Sequence, residues 1–209
     1  MNKMIFALSI TVAFFVFMGV PAQMSFAAEE FNSPNRVNKS TEEAMQLSGN
    51  KKILVVYFSL TGNTREIANQ IHNIAGGDIF EIQSVKPYPT DHDAAVKLAR
   101  QELDSGDKPA LKTKVENIQS YDLIFIGYPN WCSTIPAPVK TFLSEYDLSG
   151  KTIVPFCTYG GSGLGRSVSD ISMLCPKSTL LDSFAIRGSD TKTAQSEVSD
   201  WLRKIKVTK

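Results

Sequence analysis

Apolar runs alternate with segments of helical periodicity from residue 51 to the end of the chain. Ile53 to Phe58 is an uninterrupted apolar, β-branched and aromatic run, which is typical of a parallel strand covered on both faces. The segment after it has apolar residues at the spacing of one buried helix face, namely Ile67, Ala68, Ile71, Ile74 and Ala75. The pattern therefore predicts a buried strand followed by a helix.

The same alternation continues along the rest of the chain. It predicts further strands at 78–85, 121–127, 152–157 and 179–186, and further helices at 91–103, 138–146, 164–174 and 191–205. Strands that alternate with helices over short connections favour an α/β fold, a doubly wound five-stranded parallel sheet with helices on both faces. The ligand of such a sheet binds outside the C-terminal ends of the strands.

Residues 1–27 have the features of a secretory signal peptide. Lys3 is the only charged residue before Glu29, the apolar stretch covers residues 5–20, and Ser25 and Ala27 are the small residues that a signal peptidase recognises. An uncleaved membrane anchor is the alternative, but the apolar stretch is shorter than the ~20 residues that a spanning helix needs. We therefore expect cleavage after Ala27.

The chain is expected to consist of three parts, of which the signal peptide is the first. Residues 28–50 are polar and are expected to form a linker, and residues 51–209 have the size of one domain. The mature protein would then be exported, to the periplasm, the cell surface or the medium. Its contact with a membrane would be through the signal peptide alone, before cleavage.

The charge balance excludes one class of partner. The whole chain has 22 Lys and Arg residues, 21 Asp and Glu residues and a formal net charge of +1. Loss of Lys3 with the signal peptide leaves a net charge of zero, so nucleic acid is not an expected partner. The two histidines, His72 and His92, have no Cys or His at ligand spacing, so no metal site is expected.

Four short side chains that carry oxygen atoms surround one glycine between the first strand and the first helix. They are Ser59, Thr61, Asn63 and Thr64 around Gly62, where a helix presents its first unpaired N–H groups. The loop lacks the lysine of a nucleoside-triphosphate loop, the three glycines of a dinucleotide fingerprint and the cysteine of a small phosphatase. It therefore predicts a site for a permanently bound phosphate, with an ordinary N-capped turn as the alternative.

Two later loops are expected at the same edge of the sheet. After the third strand, Pro129 stiffens the turn and Trp131 offers a flat face, although Trp131 alone would be interpreted as a packing residue. After the fourth strand, three glycines follow Tyr159 and allow backbone N–H groups to approach a ligand closely. The three loops together are more specific than any one of them.

These loops resemble those of the flavodoxin family. Residues 59–64 match the FMN-phosphate loop, [ST]-x-T-G-[NT]-T, at every fixed position, and residues 158–163 resemble the T-x-G-G-S-G loop of the flavodoxin-like NAD(P)H-dependent oxidoreductases. Residues 87–91 resemble the same subfamily, and the last strand is similar to that of short-chain flavodoxins. The resemblance implies one non-covalent FMN. Its phosphate would be held by Ser59, Thr61, Gly62, Asn63 and Thr64, and its ring by Pro129, Asn130, Trp131, Cys132, Thr158, Tyr159, Gly160, Gly161, Ser162 and Gly163.

The resemblance implies electron transfer or flavin-dependent oxidoreduction, with an extracytoplasmic redox protein or a small-molecule acceptor as partner. No predicted site residue is an obvious proton donor, so the redox chemistry would be that of the cofactor. One alternative is an NAD(P)H-dependent quinone or small-molecule reductase, which export disfavours because soluble nicotinamide is chiefly cytoplasmic. Another is a non-catalytic flavin-binding module, which the complete set of hydroxyls in the phosphate loop disfavours.

The loop after the third strand departs from the family pattern. Flavodoxins usually have a glycine there, whereas this chain has Cys132, Ser133 and Thr134. A non-glycine residue at positive φ costs about 1–2 kcal/mol, which disfavours the change of this turn that accompanies one-electron reduction. The sequence therefore favours two-electron chemistry at least as strongly as one-electron transfer. The net charge of zero also departs from the marked acidity of most flavodoxin electron carriers.

The three cysteines are an odd number for an exported chain. Cys132 and Cys157 are expected at the same edge of the sheet and could form a disulfide, whereas Cys175 follows a helix that leads to the opposite edge. Three free thiols used as small apolar residues are the favoured interpretation.

Overall fold

The structure is a computed structural model that describes residues 51–208, so the predicted signal peptide and linker lie outside the described residues. Its strands are β1 (Ile53–Tyr57), β2 (Asp78–Glu81), β3 (Leu123–Pro129), β4 (Thr152–Tyr159), β5 (Thr179–Leu180) and β6 (Phe184–Arg187). Its α-helices are α1 (Asn63–Ala75), α2 (His92–Ser105), α3 (Ala137–Glu145), α4 (Ser167–Leu174) and α5 (Gln195–Lys204). Short 3-10 helices cover Ile118–Ser120 and Gly188–Thr193.

All strands of the sheet are parallel to their neighbours. Their order is β2-β1-β3-β4, and β5 and β6 both pair with the remaining edge of β4, one after the other. The register aligns Tyr57 with Gly127 and Tyr128 with Cys157. The prediction of a doubly wound sheet with five strand positions is confirmed, and β5 with β6 fill the fifth position.

The fifth strand is interrupted, although its apolar pattern predicts one continuous strand. The Leu181 N–H group still donates to the Ile153 carbonyl at 3.0 Å. One residue later, the Asp182 carbonyl accepts a hydrogen bond of 3.0 Å from the indole Nε1 of Trp201. The ring centre of Phe184 lies 5.2 Å from that of Trp201. The contact with α5 therefore draws the chain out of the sheet between Leu180 and Phe184.

Two apolar cores lie on opposite faces of the sheet. Alternate residues of each strand face opposite sides. On one face Val55 and Phe125 belong to a core that includes residues of α1 and α5, and on the other face Leu54 and Ile124 belong to a core that includes residues of α3 and α4. Because helices cover both faces, the strands need apolar residues at successive positions, which explains the unbroken runs in the sequence.

The strand ends differ from the predicted ones. Strand β2 ends at Glu81 because Val85 donates its N–H to Ala110 at 2.9 Å and the chain pairs there with a different segment. Strands β3 and β4 continue to Pro129 and Tyr159, two residues beyond the predicted ends. The first residues of two predicted loops are therefore strand residues. Within residues 51–208, no helix has an apolar stretch long enough to cross a lipid bilayer.

Helix α2 is held at its beginning and near its end by polar contacts. The Asp91 carboxylate accepts the Ala94 N–H at 2.9 Å as an N-cap. The Tyr88 hydroxyl lies 2.7 and 2.9 Å from the two oxygens of Glu102, to which it donates. The Glu102 side chain is buried, and this desolvation raises the pKa of its carboxyl above the ordinary value although the Tyr88 hydrogen bond acts in the opposite direction.

The raised pKa of Glu102 predicts a pH-dependent stability. A carboxyl whose pKa is higher in the folded than in the unfolded protein stabilises the fold below its unfolded pKa, about 4.3, and loses that contribution as the pH rises through the folded pKa. Glu102→Gln keeps an acceptor for Tyr88 but carries no charge. We expect the stability of the wild type relative to this variant, measured by urea unfolding, to fall as the pH rises above about 4.3. A difference that is constant with pH would contradict the burial effect.

Candidate functional site

Strands β1, β3, β4 and β6 end at one edge of the sheet, and the segments after them surround a cavity of about 590 Å³. We call residues 59–64 the first loop, 128–134 the second loop and 158–163 the third loop. All three contribute to the cavity wall, as the rule for parallel sheets requires. The predicted site residues in the wall are Thr61, Asn63, Pro129, Asn130, Trp131, Cys132, Thr158, Tyr159 and Gly160.

Six predicted site residues lie in the same loops but not in the cavity wall. They are Ser59, Gly62, Thr64, Gly161, Ser162 and Gly163. Four of them have identifiable roles in shaping the loops, which the next paragraphs describe. Their direct contact with a ligand stays a prediction from the sequence.

The first loop is shaped by Ser59 and Gly62. The Ser59 hydroxyl oxygen accepts the N–H groups of Gly62 at 3.2 Å and Arg65 at 3.3 Å. Gly62 has a φ of 91°, a left-handed conformation that suits glycine, and it is the N-cap residue of α1. This turn places Thr61 and Asn63 in the cavity wall at the beginning of α1, where the helix dipole favours an anion.

A buried hydrogen bond connects the first loop to the third. The hydroxyl oxygens of Thr64 and Thr158 are 2.8 Å apart, and the two side chains are 1% and 4% exposed. Thr64 belongs to the first turn of α1 and Thr158 to the end of β4, 94 residues further along the chain. The bond therefore fixes the distance between the two loops. Thr158 also lines the cavity.

The second loop is a tight turn with two residues at positive φ. Trp131 and Thr134 exchange backbone hydrogen bonds of 3.1 and 2.9 Å, and between them Cys132 and Ser133 have φ values of 51° and 62°. Two central residues at positive φ define a type I′ turn, which glycine and asparagine normally occupy. Two of the three non-glycine residues that the sequence identified, Cys132 and Ser133, therefore adopt the unfavourable conformation.

Contacts with the beginning of α4 hold the second loop in place. The Arg166 N–H donates to the Ser133 carbonyl at 2.8 Å, and a Cβ atom at Gly165 would lie 2.4 Å from the same oxygen. The Thr134 hydroxyl donates to the Asp170 carboxylate, which also pairs with the Arg166 side chain at 3.3 Å. The turn is therefore specified by several contacts at once, which is what allows a strained conformation to persist.

Trp131 is anchored in an aromatic cluster. Its ring centre lies 5.4 Å from that of Phe58 and 5.0 Å from that of Tyr88, both with edge-to-face geometry. Such pairs stabilise by about 0.5–1.5 kcal/mol each beyond the area that they bury. Trp131 is both a packing residue and part of the cavity wall, so the two interpretations from the sequence are compatible.

The third loop is attached to the second through Asn130. The Asn130 N–H donates to the Thr158 carbonyl at 2.8 Å, and its side-chain amide donates to the Gly163 carbonyl. The side-chain oxygen of Asn130 is buried and has no partner among the described residues. These two bonds and the hydrogen bond between Thr64 and Thr158 join all three loops into one frame.

The sequence did not identify two parts of the cavity wall. One is the segment after β6, where Arg187, Gly188 and Ser189 line the cavity. It could have been found, because the fifth strand position ends at the same edge as the others. The other is the region of α2, which contributes Thr90, His92, Ala95, Val96, Ala99 and Arg100. Its amphipathic pattern gave no indication that one face borders a cavity.

The cavity is positively charged although the mature chain is expected to be neutral. Of the described residues that line it, none is Asp or Glu, whereas Arg100 and Arg187 are arginines. The Arg187 guanidinium lies 5.8 Å from the centre of the Tyr159 ring and donates to the Gly160 carbonyl at 3.2 Å. This cation is therefore held over the third loop, and the site favours anionic ligands.

The three cysteines are free thiols in the structure, with Cys132 exposed and the other two buried. Burial raises the pKa of Cys157 to about 12 and that of Cys175 to about 11, so both are protonated at neutral pH. Within residues 51–208, no group of three or more His, Cys, Asp or Glu side chains is arranged to hold a metal ion.

Comparison with known proteins gives consistent results. The flavodoxin family model matches residues 52–205. A candidate flavoprotein from Bacteroides eggerthii DSM 20697 is 35% identical, with 75% of this chain and 98% of that chain covered and a TM-score of 0.66. A second candidate flavoprotein, from Bacteroides uniformis ATCC 8492, is 29% identical, with 74% and 99% covered and a TM-score of 0.65.

A third structure shows the same fold at lower identity. It is a flavoprotein from Lactobacillus acidophilus NCFM, solved in complex with FMN, which is 24% identical, with 73% of this chain and 99% of that chain covered and a TM-score of 0.59. No curated protein matches the chain.

The bond between Thr64 and Thr158 predicts a coupling between the first and third loops. Thr64→Val leaves the buried Thr158 hydroxyl without its partner and should lower the free energy of unfolding by about 1–3 kcal/mol. The double variant Thr64→Val/Thr158→Val should lose less than the sum of the single variants. Urea unfolding without ligand measures both, and Thr113→Val at an exposed position serves as the control. Additive losses would contradict the coupling.

The cysteines predict a simple thiol count. In the native protein, the exposed Cys132 should react with a thiol reagent at once, while the buried Cys157 and Cys175 should react only as the protein unfolds. After unfolding without a reductant, all three thiols should react. If only one thiol reacts, two of the cysteines form a disulfide, and the expectation of three free thiols is wrong.

Proposed function

The chain belongs to the flavodoxin family, and from that premise we propose that it is an exported FMN-binding protein that transfers reducing equivalents. The observation that carries the proposal is the cavity at the C-terminal edge of the sheet. It combines hydroxyl and amide side chains at the beginning of α1 with aromatic side chains on two other loops, and no carboxylate of the described residues lines it.

The residues of the cavity fit FMN chemically. A phosphate dianion suits Thr61, Asn63 and the N-terminus of α1, where N–H groups without intrahelical partners and the helix dipole favour negative charge. A flat aromatic ring suits the wall formed by Trp131 and Tyr159. The cavity volume of about 590 Å³ is within the range of roughly 300–1,000 Å³ that cofactor and ligand sites occupy.

When it is bound, FMN supplies the redox chemistry, and the residues of this chain bind, orient and shield it. Thr61 and Asn63 would hold the phosphate, and Pro129, Asn130, Trp131, Thr158, Tyr159 and Gly160 would border the ring. Arg187 would add a positive charge beside the third loop. The raised pKa of Cys157 keeps that thiol neutral, so it does not compete as a nucleophile.

The second loop favours two-electron chemistry. Cys132 and Ser133 already occupy positive φ in the structure, at a cost of about 1–2 kcal/mol each. The contacts of Ser133 with Gly165 and Arg166 would have to break before the turn could change its conformation. A turn that resists rearrangement disfavours one-electron transfer of the flavodoxin type, which uses a mobile glycine peptide. We therefore favour a flavin oxidoreductase over a one-electron shuttle.

Two features of the proposal rest on the sequence. Residues 1–27 predict export, so the partner would be an extracytoplasmic redox protein or a small-molecule acceptor.

The alternative function, an NAD(P)H-dependent quinone or small-molecule reductase, gains support from the positive cavity, since arginines suit an anionic reductant or substrate.

The proposal is tested by visible absorption spectroscopy of the purified mature protein, before and after addition of FMN and during stepwise anaerobic reduction. We expect flavin bands with quenched fluorescence and reduction in one two-electron step. A protein that neither contains nor takes up FMN would overturn the proposal. Accumulation of a one-electron-reduced species would instead support the carrier function.

A variant in the first loop tests the phosphate site. Thr61→Val removes one hydroxyl that would donate to the phosphate, and a hydrogen bond to a charged group contributes roughly 1.5–3 kcal/mol. We therefore expect about a tenfold or greater loss of FMN affinity, measured by fluorescence titration. Thr113→Val, at an exposed position outside the cavity, should bind FMN as the wild type does. Equal affinity of the two variants would exclude Thr61 from the phosphate site.

A further inference from the structure

Helix α2 presents one face to the cavity. Ala95, Val96, Ala99 and Arg100 all line it, and their spacing places them on the same side of the helix. The two alanines are buried, and their small side chains leave space beside them. The four residues, which we call the α2 wall, therefore form an apolar surface that ends in a cation.

The α2 wall lies next to the second loop. Ala99 borders the large cavity and also a small cavity of about 10 Å³, and Trp131 and Cys132 line both of them. A molecule on the α2 wall would therefore be adjacent to the side of the cavity that we assign to the flavin ring. A second reactant that exchanges electrons directly with the flavin ring would bind beside it.

Arg100 contributes to the positive charge of the cavity but is not among the residues assigned to FMN. Its side chain is exposed, and no carboxylate within residues 51–208 lies within ion-pair distance of it. The proposed phosphate site is at the beginning of α1, and Arg187 is engaged with Tyr159 and Gly160. The cavity thus has two arginines, and Arg100 is the one on the α2 wall.

We propose that the α2 wall is a binding subsite for the second reactant, a small planar apolar molecule with a carboxylate, phosphate or sulfonate group. The inference rests on the proposed function, because it takes FMN to be the first occupant of the cavity. The planar part of the molecule packs against Ala95, Val96 and Ala99. Its anionic group pairs with the Arg100 guanidinium, whose planar set of N–H donors matches such oxyanions.

The charge of the cavity makes the subsite selective. A cationic molecule would meet Arg100 and Arg187 with no carboxylate of the described wall to compensate them. A neutral molecule of the same shape would keep the apolar contact but would not use Arg100. The subsite should therefore discriminate by charge among molecules of one shape.

The test uses two probes of the same shape, 2-naphthoate and its neutral carboxamide, on the FMN-loaded protein. FMN is titrated first, and failure of FMN to bind overturns the proposed function and with it this inference. Calorimetric titration of the loaded protein with each probe then tests the subsite alone, at low and constant ionic strength so that the charge effect is not screened. We expect the naphthoate to bind about tenfold more tightly than the carboxamide.

Arg100→Gln and Lys97→Gln are matched variants on the same helix. Both remove one exposed positive charge and put a good helix former in its place, but Lys97 does not line the cavity. Arg100→Gln should abolish the preference for the naphthoate without changing the dissociation constant of FMN, and Lys97→Gln should behave as the wild type.

Three outcomes would overturn the subsite while leaving the proposed function intact. The first is equal binding of the two probes to the FMN-loaded wild type. The second is a preference for the naphthoate that Arg100→Gln retains or that Lys97→Gln also loses. The third is a loss of FMN affinity in Arg100→Gln, which would assign Arg100 to the phosphate of FMN instead.

Discussion

Burial of a parallel sheet on both faces is the constraint on which the rest of this structure depends. Core residues such as Val55 and Leu54 face opposite helical layers, so the interior of the sheet is predominantly apolar. Hydroxyl, amide and guanidinium groups are therefore concentrated where the strands end. Because every strand pair is parallel, four of these ends meet at one edge, and the chemistry of the protein is confined to the loops there.

The loops at this edge form a rigid frame. Hydrogen bonds from Thr64 and Asn130 join the first and second loops to the end of β4 and the third loop. The second loop is additionally fixed by α4, and this support maintains two residues at positive φ. The strain is thus a property of the folded protein before any ligand binds. A preorganised site of this kind loses less conformational freedom on binding, which favours affinity for a rigid planar ligand.

The distribution of charge distinguishes this site from the neutral chain around it. Several acidic side chains form ion pairs elsewhere, such as Glu81 with Arg65 and Asp170 with Arg166, while the described cavity wall has arginines without carboxylates. The net charge of the whole chain does not determine the sign of the charge in the cavity, because that sign depends on which side chains line it. A positive cavity suits anionic reactants better than the positively charged surface of a redox partner, and it is consistent with a small molecule as the second reactant.

The sequence by itself determined the elements and most of the three-loop site. The apolar periodicity of strands and helices and the first loop around Gly62 depend on neighbours within a few residues. The edge at which the loops meet follows from the alternation of strands and helices, which predicts a parallel sheet. Tertiary structure decided the rest: the break before Phe184 needs Trp201, and the placement of the second loop needs Gly165 and Arg166. The part of the cavity wall that includes Arg100 comes from the packing of α2 beside the loops. Each of these features depends on contacts between residues far apart in the chain. Such contacts leave no periodic signal in the sequence, because they arise only when separate elements pack together.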